Sequence, residues 1–490
     1  MSSPKMKTLS FLLALLIPLS SIVACANTPT KTAETTAETS ETTAQESETQ
    51  TVYKADIPEG TDYQGKDFNI MVFGETTIVW YDVDFASDEE NGETINDATY
   101  QRMRAAEEIL NIKVNDIKGG AFGDSSVLKA SVMANDGAYD CGFVNMFGAA
   151  TISQGGYVMD LNKIQTLDLT QPWWDQNAVK DLSIAHKLFM VTGDIEIMYK
   201  KSIGIILFNK KMINDYSLEL PYDLVANKTW TIDKLIEMAK GTSKDLNGDS
   251  VRDKNDQFGF LYYSDVIALG IIGGGVNMVT KDENDLPTLT FFSDRTVGIW
   301  EKYTSLFYDT DLSYSDNNED VLKPMFIAGQ ALFDFNEFHA VEQLRQMDTD
   351  FGILPIPLYE EGQESYYHTI NPHVGSVLVV PVDCPDLERV GYALDVLGAE
   401  SKNILTPAYY DLYLKTKGAR DDASEASIDL ILSTLRYDLG YMYNWGTLAD
   451  FTLQLVNNKK TDLASAYNKI EKSIQKNIDK AVEKYEEIEN

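Results

Sequence analysis

Twelve consecutive residues, Asp245-Leu-Asn-Gly-Asp-Ser-Val-Arg-Asp-Lys-Asn-Asp256, place oxygen-bearing side chains at positions one, three, five, nine and twelve. This is the spacing of a calcium loop, because a hard cation gathers six to eight oxygens around one centre. Asp245, Asn247, Asp249, Asp253 and Asp256 would supply side chains and Val251 its backbone carbonyl. Four carboxylates held this close repel one another unless a cation is present. Two positions depart from the pattern: Ser250 stands where the turn glycine is usual, and Asp256 is shorter than the common glutamate. The alternative is a solvated acidic turn neutralised by Lys244, Arg252 and Lys254. The calcium expected here is structural.

Catalytic patterns are sparse. The chain has no Gly-x-Ser-x-Gly elbow, no His-Glu-x-x-His and no Cys-x-x-Cys. Its four histidines, His186, His339, His368 and His373, lack metal-ligand spacing. Gly123-Asp-Ser125 is esterase-like as a triplet but sits where Asp and Ser cap a helix. Gly273-Gly-Gly275 lacks the rest of a nucleotide loop. A pair of carboxylates could serve a glycoside hydrolase, but only the abundance of acids argues for it, and the reading is of a non-enzyme. Cys141 and Cys384 each lie in or beside an apolar run and are expected to stay unpaired, a disulfide being the alternative.

The elements that would position such groups begin well downstream. Lys5 and Lys7 precede the apolar run 9–17, and Ile22-Val-Ala-Cys25 follows. This segment resembles the leader and lipobox of exported bacterial lipoproteins. The resemblance implies a signal peptide over residues 1–25, a lipid on Cys25, and a protein held outside the cytoplasm on the cell membrane. An ordinary signal peptide cut between Ala24 and Ala26 is the alternative. Residues 26–52 are mostly Thr, Glu, Ala and Ser and cannot bury enough surface to offset their chain entropy, so a disordered tether is expected. The net charge of −35, from 41 basic and 76 acidic residues, excludes nucleic acid and anionic lipid as partners.

From residue 53 onward, short β-rich runs alternate with amphipathic helices, the pattern of an α/β protein too long for one compact domain. Phe68-Asn-Ile-Met-Val-Phe73 reads as a first strand. A helix capped by Asp97 follows, with Ala98, Met103, Ala106, Ile109 and Leu110 on one face. Residues 112–114 form a short second strand, Asp124 or Ser125 caps the next helix, and 141–145 is a third strand. Residues 203–208, 331–335, 351–354 and 376–380 are further strands, and Thr231 caps a helix over 232–239. Leu463, Tyr467, Ile470, Ile474, Ile478, Ala481 and Tyr485 form a helical stripe expected to pack on the body.

Several segments in this order resemble the carbohydrate-binding, family 1-like group of extracellular solute-binding proteins of bacterial ABC importers. They are Asn91-Gly-Glu-Thr-Ile-Asn-Asp-Ala-Thr-Tyr-Gln-Arg with Glu107-Glu-Ile-Leu-Asn-Ile-Lys-Val114, Pro172-Trp-Trp-Asp175, Leu207-Phe-Asn-Lys210, Thr229-Trp-Thr-Ile-Asp-Lys-Leu235, and 331–338 with 351–357. The resemblance implies a two-lobe, periplasmic-binding-protein-like (type II) α/β fold with hinge strands and a ligand cleft. Lobe one would hold 53–157 and 373–430, and lobe two 158–372, with C-terminal helices over 431–490 mostly on lobe two. It implies a monomer that closes on a carbohydrate, with an oligosaccharide expected, and delivers it to membrane permease subunits. A peptide ligand, or presentation to a sensor, is the alternative.

Sugars stack C–H faces on aromatic rings and hydrogen-bond to polar side chains, and open α/β sheets bind ligands at strand ends. Matching the family's positions gives Glu75, Trp80 and Tyr81 after the first strand, and Asn145 with Phe147 after the third. It adds Tyr262 and Tyr263, then Phe338, then Trp445. Core packing is the competing role for each aromatic. Trp173 and Trp174 would either line the cleft edge or pack where the chain crosses between lobes.

Overall fold

The computed structural model describes residues 51–76, 85–414 and 422–489. The lipobox with Cys25 and most of the tether, together with Trp80 and Tyr81, lie outside the described residues. The first strand, β1 (Lys66–Gly74), pairs in parallel with β2 (Ile112–Ala121) and with β3 (Cys141–Asn145). Apolar side chains alternate or run continuously in β1 and β3, which are buried on both faces.

Between β1 and β2 runs the helix Thr94–Leu110. Its N-cap is Glu93, whose carboxylate accepts the backbone N–H groups of Ile95 and Asn96 at 3.0 and 2.9 Å. Asp97, expected as the cap, instead lies in the first turn and accepts the amides of Asn91 and Gly92. Ala98, Met103, Ala106 and Leu110 are buried as expected, but Ile109 is 41% exposed. Strand β2 is also far longer than 112–114. Its second half is polar because it is the sheet edge, and Gly74 lets the two strands approach closely: a Cβ on Gly74 would sit 2.3 Å from the Gly119 carbonyl oxygen. Ser125 occupies the cap position of the helix Ser126–Ala134 without a side-chain bond, while Asp124 accepts the Ser126 amide.

The second sheet begins at β4 (Gly204–Asn209) and takes in β5 (Phe258–Tyr262). A small hairpin, β6 (Val279–Lys281) with β7 (Pro287–Leu289), stands apart. Strands β8 (Ser313–Ser315), β9 (Ala331–Glu337) and β10 (Phe351–Leu354) complete the second sheet in the order β10-β4-β9-β5-β8. The chain then returns to the first sheet as β11 (Ser376–Val379), antiparallel to β3, giving the order β11-β3-β1-β2. Each sheet therefore heads its own α/β lobe, and the first lobe is discontinuous in sequence. Residues Val52–Asn490 together form one compact unit.

Two crossings run side by side. Asn371 N–H bonds the Ser202 carbonyl at 2.9 Å, and Ile203 bridges Ile370 in antiparallel fashion. Close by, His368 pairs in parallel fashion with Leu435. The helices 387–400 and 406–414 pack on Thr94–Leu110. The helix Asp422–Ser433 packs on β10 instead. Thr231 caps Ile232–Ala239 through its hydroxyl at 3.2 Å from the Lys234 amide.

The last helix, Glu471–Glu487, buries Ile474, Ile478, Ala481 and Tyr485. The expected stripe breaks between Tyr467 and Glu471, where a separate short helix, Leu463–Tyr467, ends. Val266–Gly273 is buried on every side, as a helix apolar all round must be. Gly273 belongs to that helix rather than to a turn, and a Cβ there would meet Ile356 Cγ2 at 2.3 Å. Gly275, at φ +89°, is the residue that turns the chain.

Candidate functional site

The ends of strands from both sheets meet around the segment 371–375. From the first sheet comes Asn145, the last residue of β3. Its Oδ1 accepts the Gly148 amide at 2.7 Å, capping Met146–Gln154, and its Nδ2 donates to the Phe122 carbonyl at 2.8 Å. The next amide, Met146 N–H, bonds Gly375 O on the crossing segment. Phe147 turns its ring edge-on to the His373 imidazole, 4.5 Å between centroids. His373 Nε2 lies 3.9 Å from Asp450, which also accepts Asn444 Nδ2 at 2.8 Å. Phe73 at the end of β1 packs with Met198 and Val374 in a small apolar cluster of its own. Glu75 follows it and is exposed.

From the second sheet comes Glu337, the last residue of β9, with a carboxyl that is almost wholly buried. Its Oε1 accepts the Tyr263 hydroxyl at 2.6 Å and Asn371 Nδ2 at 2.9 Å. Burial raises its pKa to about 7 against the help of these donors and of His339. His339 stands with Nδ1 at 3.8 Å from Glu337 and Nε2 at 3.1 Å from Glu319. Burial alone would lower the imidazole, but Glu319, Glu337 and Glu342 together outweigh it and the pKa is raised. Asp265 is raised as well, by burial first, with His373 and Asn371 opposing.

The expected aromatics divide by face. Tyr263 turns toward Glu337. Tyr262, its neighbour on the strand, points the other way, stacks on Phe307 at 3.9 Å and donates its hydroxyl to the Phe307 carbonyl. Phe338 is 3% exposed and borders a void of about 10 Å³ with Lys200, Tyr409, Tyr410, Ile428 and Leu432. Trp445 is also 3% exposed and stacks on Tyr443 at 4.7 Å. Its indole N–H has no partner among the described residues. Thus Asn145, Phe147, Tyr263 and Phe338 stand near the crossings or in contact with residues that do, whereas Tyr262 is core and Trp445 is buried against Tyr443, whose hydroxyl meets that of Tyr485.

Trp173 and Trp174 pack where the chain crosses: both are buried, and both indoles donate to Asp395 Oδ1, at 3.1 and 3.0 Å. Beside them Asp194 accepts Lys200 at 3.0 Å, Lys402 at 2.9 Å and the Thr406 hydroxyl at 2.8 Å. Burial works to raise its pKa, but the two lysines hold it below the ordinary value.

Sequence reasoning missed Glu337, Asn371, His373 and Asp265. The only local signal was a run of polar residues, Asp334, Asn336 and Glu337, inside an otherwise apolar strand.

In the acidic loop, oxygens are plentiful but engaged. Asp245 accepts the Gly248 and Ser250 amides, Asn247 accepts Asp249 N–H, Asp249 accepts Val251 N–H, and Asp253 accepts Asn255 N–H. Asp256 is fully buried, accepts Leu246 and Asp253 amides, and lies 3.5 Å from Arg252. Gly248 and Ser250, at φ +75° and +63°, make the turn. The donor set is all oxygen, as calcium requires, although among the described residues no three His, Cys, Asp or Glu side chains converge to hold a metal. Cys141 is buried, Cys384 half-buried, and neither is in a disulfide. No helix among the described residues is long and apolar enough to cross a membrane.

No protein-family model and no curated protein matches the sequence. Solved structures do match. An ABC substrate-binding protein from Listeria monocytogenes in complex with cycloalternan is similar over 86% of this chain and 99% of its own, at 14% identity and a TM-score of 0.52. The chain has its fold. The GacH receptor of Streptomyces glaucescens, solved unliganded and with acarbose, is similar over 86% and 98%, at 14% identity and a TM-score of 0.54. UgpB from Mycobacterium tuberculosis in complex with glycerophosphocholine is similar over 78% and 95%, at 14% identity and a TM-score of 0.56. The two-lobe α/β architecture expected from sequence is the one these proteins share.

Proposed function

We propose that this chain is the extracytoplasmic solute-binding protein of an ABC importer, that it takes a carbohydrate between its lobes, and that it is not an enzyme. The observation that carries the reading is near-complete coverage: 99% of the cycloalternan-complexed neighbour's chain is matched by this one. The site's chemistry supports it. Phe147 offers ring surface, and Asn145, Asn371, His373, Asp265 and Asp450 offer polar partners around one crossing. Mechanism follows from the layout: the lobes rotate about the paired crossings at Ser202 and Asn371, so a solute touching both sheet ends favours the closed form.

The finer parts of the reading are a monomer, an oligosaccharide rather than a single sugar, delivery to permease subunits, and a lipid on Cys25 that holds the protein at the membrane. The acidic loop adds a structural calcium held by Asp245, Asn247, Asp249, Asp253, Asp256 and the Val251 carbonyl. The likeness to the glycerophosphocholine-complexed protein supports a second reading, a small polar solute that is not a glycan. A thermal-shift screen tests both. At a hundred times its dissociation constant a ligand stabilises the fold by about 2.7 kcal/mol, a rise of a few degrees. A rise with oligosaccharides supports the first reading. A rise with glycerophosphodiesters alone supports the second.

A further inference from the structure

A cavity of about 490 Å³ opens at the end of the second sheet opposite the crossings. Asn209 closes β4 there, and β10, antiparallel to it, begins beside it at Phe351. The other end of β4, Gly204, pairs with Glu337 next to the crossings. The steps from Gly204 to Asn209 span roughly 17 Å of strand, so this cavity is no part of the site between the lobes. Its volume falls within the roughly 300–1,000 Å³ of ligand pockets.

The floor of the cavity holds an unused donor. Asn209 is 1% exposed, and its Oδ1 accepts the Met212 amide at 3.0 Å, but its Nδ2 has no partner among the described residues. A Cβ built on Gly329 would meet that nitrogen alone, at 3.6 Å, so the amide group looks into open space. The buried hydroxyl of Thr349, on the same wall, is also unpaired. Buried polar groups ordinarily find a partner, and one left without is costly.

The rest of the wall decides what that partner is. Charge cancels there, Lys211 and Lys244 standing against Asp215 and Asp348, although the whole chain carries −35. Lys211 is already bonded to Asp215, and Lys244 lies 4.7 Å from the centre of the Tyr216 ring. An anion would face the two aspartates, and a cation the two lysines. Met212, 4% exposed, joins Ile327 and Ala328 in an apolar flank. A neutral compound whose hydroxyls both donate and accept, and whose C–H face covers that flank, satisfies all of these groups together.

We propose that this cavity is a second solute site, separate from the cleft, which takes a neutral polyhydroxyl compound about the size of one sugar ring, with Asn209 Nδ2 donating to one of its hydroxyls. The site lies within the second lobe and stands whatever solute the cleft takes.

The test follows the Met212 methyl group by NMR in the whole protein labelled with methyl-¹³C methionine, its signal identified by its loss in Met212→Leu. Glucose and myo-inositol are the probes, with glycine betaine and inorganic phosphate as charged controls. The expected result is a saturable shift with a polyol and none with either control. Asn209→Asp keeps the oxygen that accepts the Met212 amide but removes the donor, and should weaken polyol binding by at least about threefold. Ala328→Trp, at an exposed position, fills the cavity from outside and should abolish the shift, which a signal transmitted from the cleft would survive. The proposal is overturned if neither polyol gives a saturable shift, if only a charged control does, or if the shift persists in Ala328→Trp. Unchanged affinity in Asn209→Asp overturns the assigned donor, and should that variant fail to fold, Ala328→Trp decides alone.

Discussion

Removing the Asp395 carboxyl should strip three donors of their acceptor in one substitution. Oδ1 holds both indoles, Trp173 and Trp174, and Oδ2 holds the Asp168 amide at 2.8 Å. The two tryptophans are 1% and 2% exposed, so no water replaces the lost bonds. A buried donor left unsatisfied costs about 1–3 kcal/mol, so three cost about 3–9 kcal/mol, and because alanine also removes the buried carboxyl, a relief of about 3 kcal/mol at most, Asp395→Ala should lose about 3–6 kcal/mol net. Asp395→Asn behaves differently. Its amide oxygen still serves both indoles, and the cost of burying a carboxyl whose pKa is pushed up to about 6 disappears. That relief amounts to about 3 kcal/mol at most at pH 7, against the loss of the Asp168 bond. The asparagine variant should therefore lose less than half as much as the alanine variant. Urea unfolding followed by tryptophan fluorescence reads both, since the reporters are the affected residues. A loss below about 1 kcal/mol for alanine, or equal losses for the two, refutes the view that these tryptophans are held by one shared acceptor.

Further expectations follow from the same geometry. Burial raises Asp334 and Glu196 to about 7. The folded state thus binds protons the unfolded chain releases above about 4, so stability should fall as pH rises from about 4 to 7 and level off beyond. Asp334→Asn, by chemical denaturation across that range, should flatten part of the slope, and an unchanged slope counts against the assignment. Calcium should raise the unfolding temperature and a chelator reverse it, with Asp249→Asn blunting the response. No calcium effect leaves the loop a solvated turn neutralised by Arg252. Gly273→Ala drives a methyl into Ile356, 2.3 Å from its Cγ2, and should cost about 1–3 kcal/mol by overpacking. A neutral result there would mean that the helix can shift.

The sequence displayed what local chemistry controls. β3 and β10 are legible to the residue because each is a short apolar run with a sharp end, Asn145 in β3 and Pro355 just after β10. The Thr231 cap was legible because its bond is to the third residue on. The polar half of β2 was not, since an edge strand needs no apolar face and its pairing with β1 is decided over 40 residues away. Asp97 and Glu93 are both acids near the same helix start, and only the backbone conformation at Glu93 chooses between them. Strand-end logic picks Asn145, Phe147 and Tyr263, which the fold places beside the crossing. It could not find Glu337 with Asn371, because that contact exists only after β9 has paired with β4 and β5 and the chain has crossed back. Tyr262 and Tyr263 are neighbours in sequence, yet a strand sends neighbours to opposite faces, and only Tyr263 meets the crossing.

Solute binding is expected to close the two lobes, and the decisive assay is calorimetric titration of the protein with malto-oligosaccharides of increasing length, with tri- and tetrapeptides as controls. Saturable one-to-one binding of a glycan, with a negative heat-capacity change from surface buried on closure, is the expected result. Heat with peptides and none with any glycan would contradict the carbohydrate assignment. Glycan binding followed by release of a hydrolysed product would contradict the claim that this protein binds without catalysis.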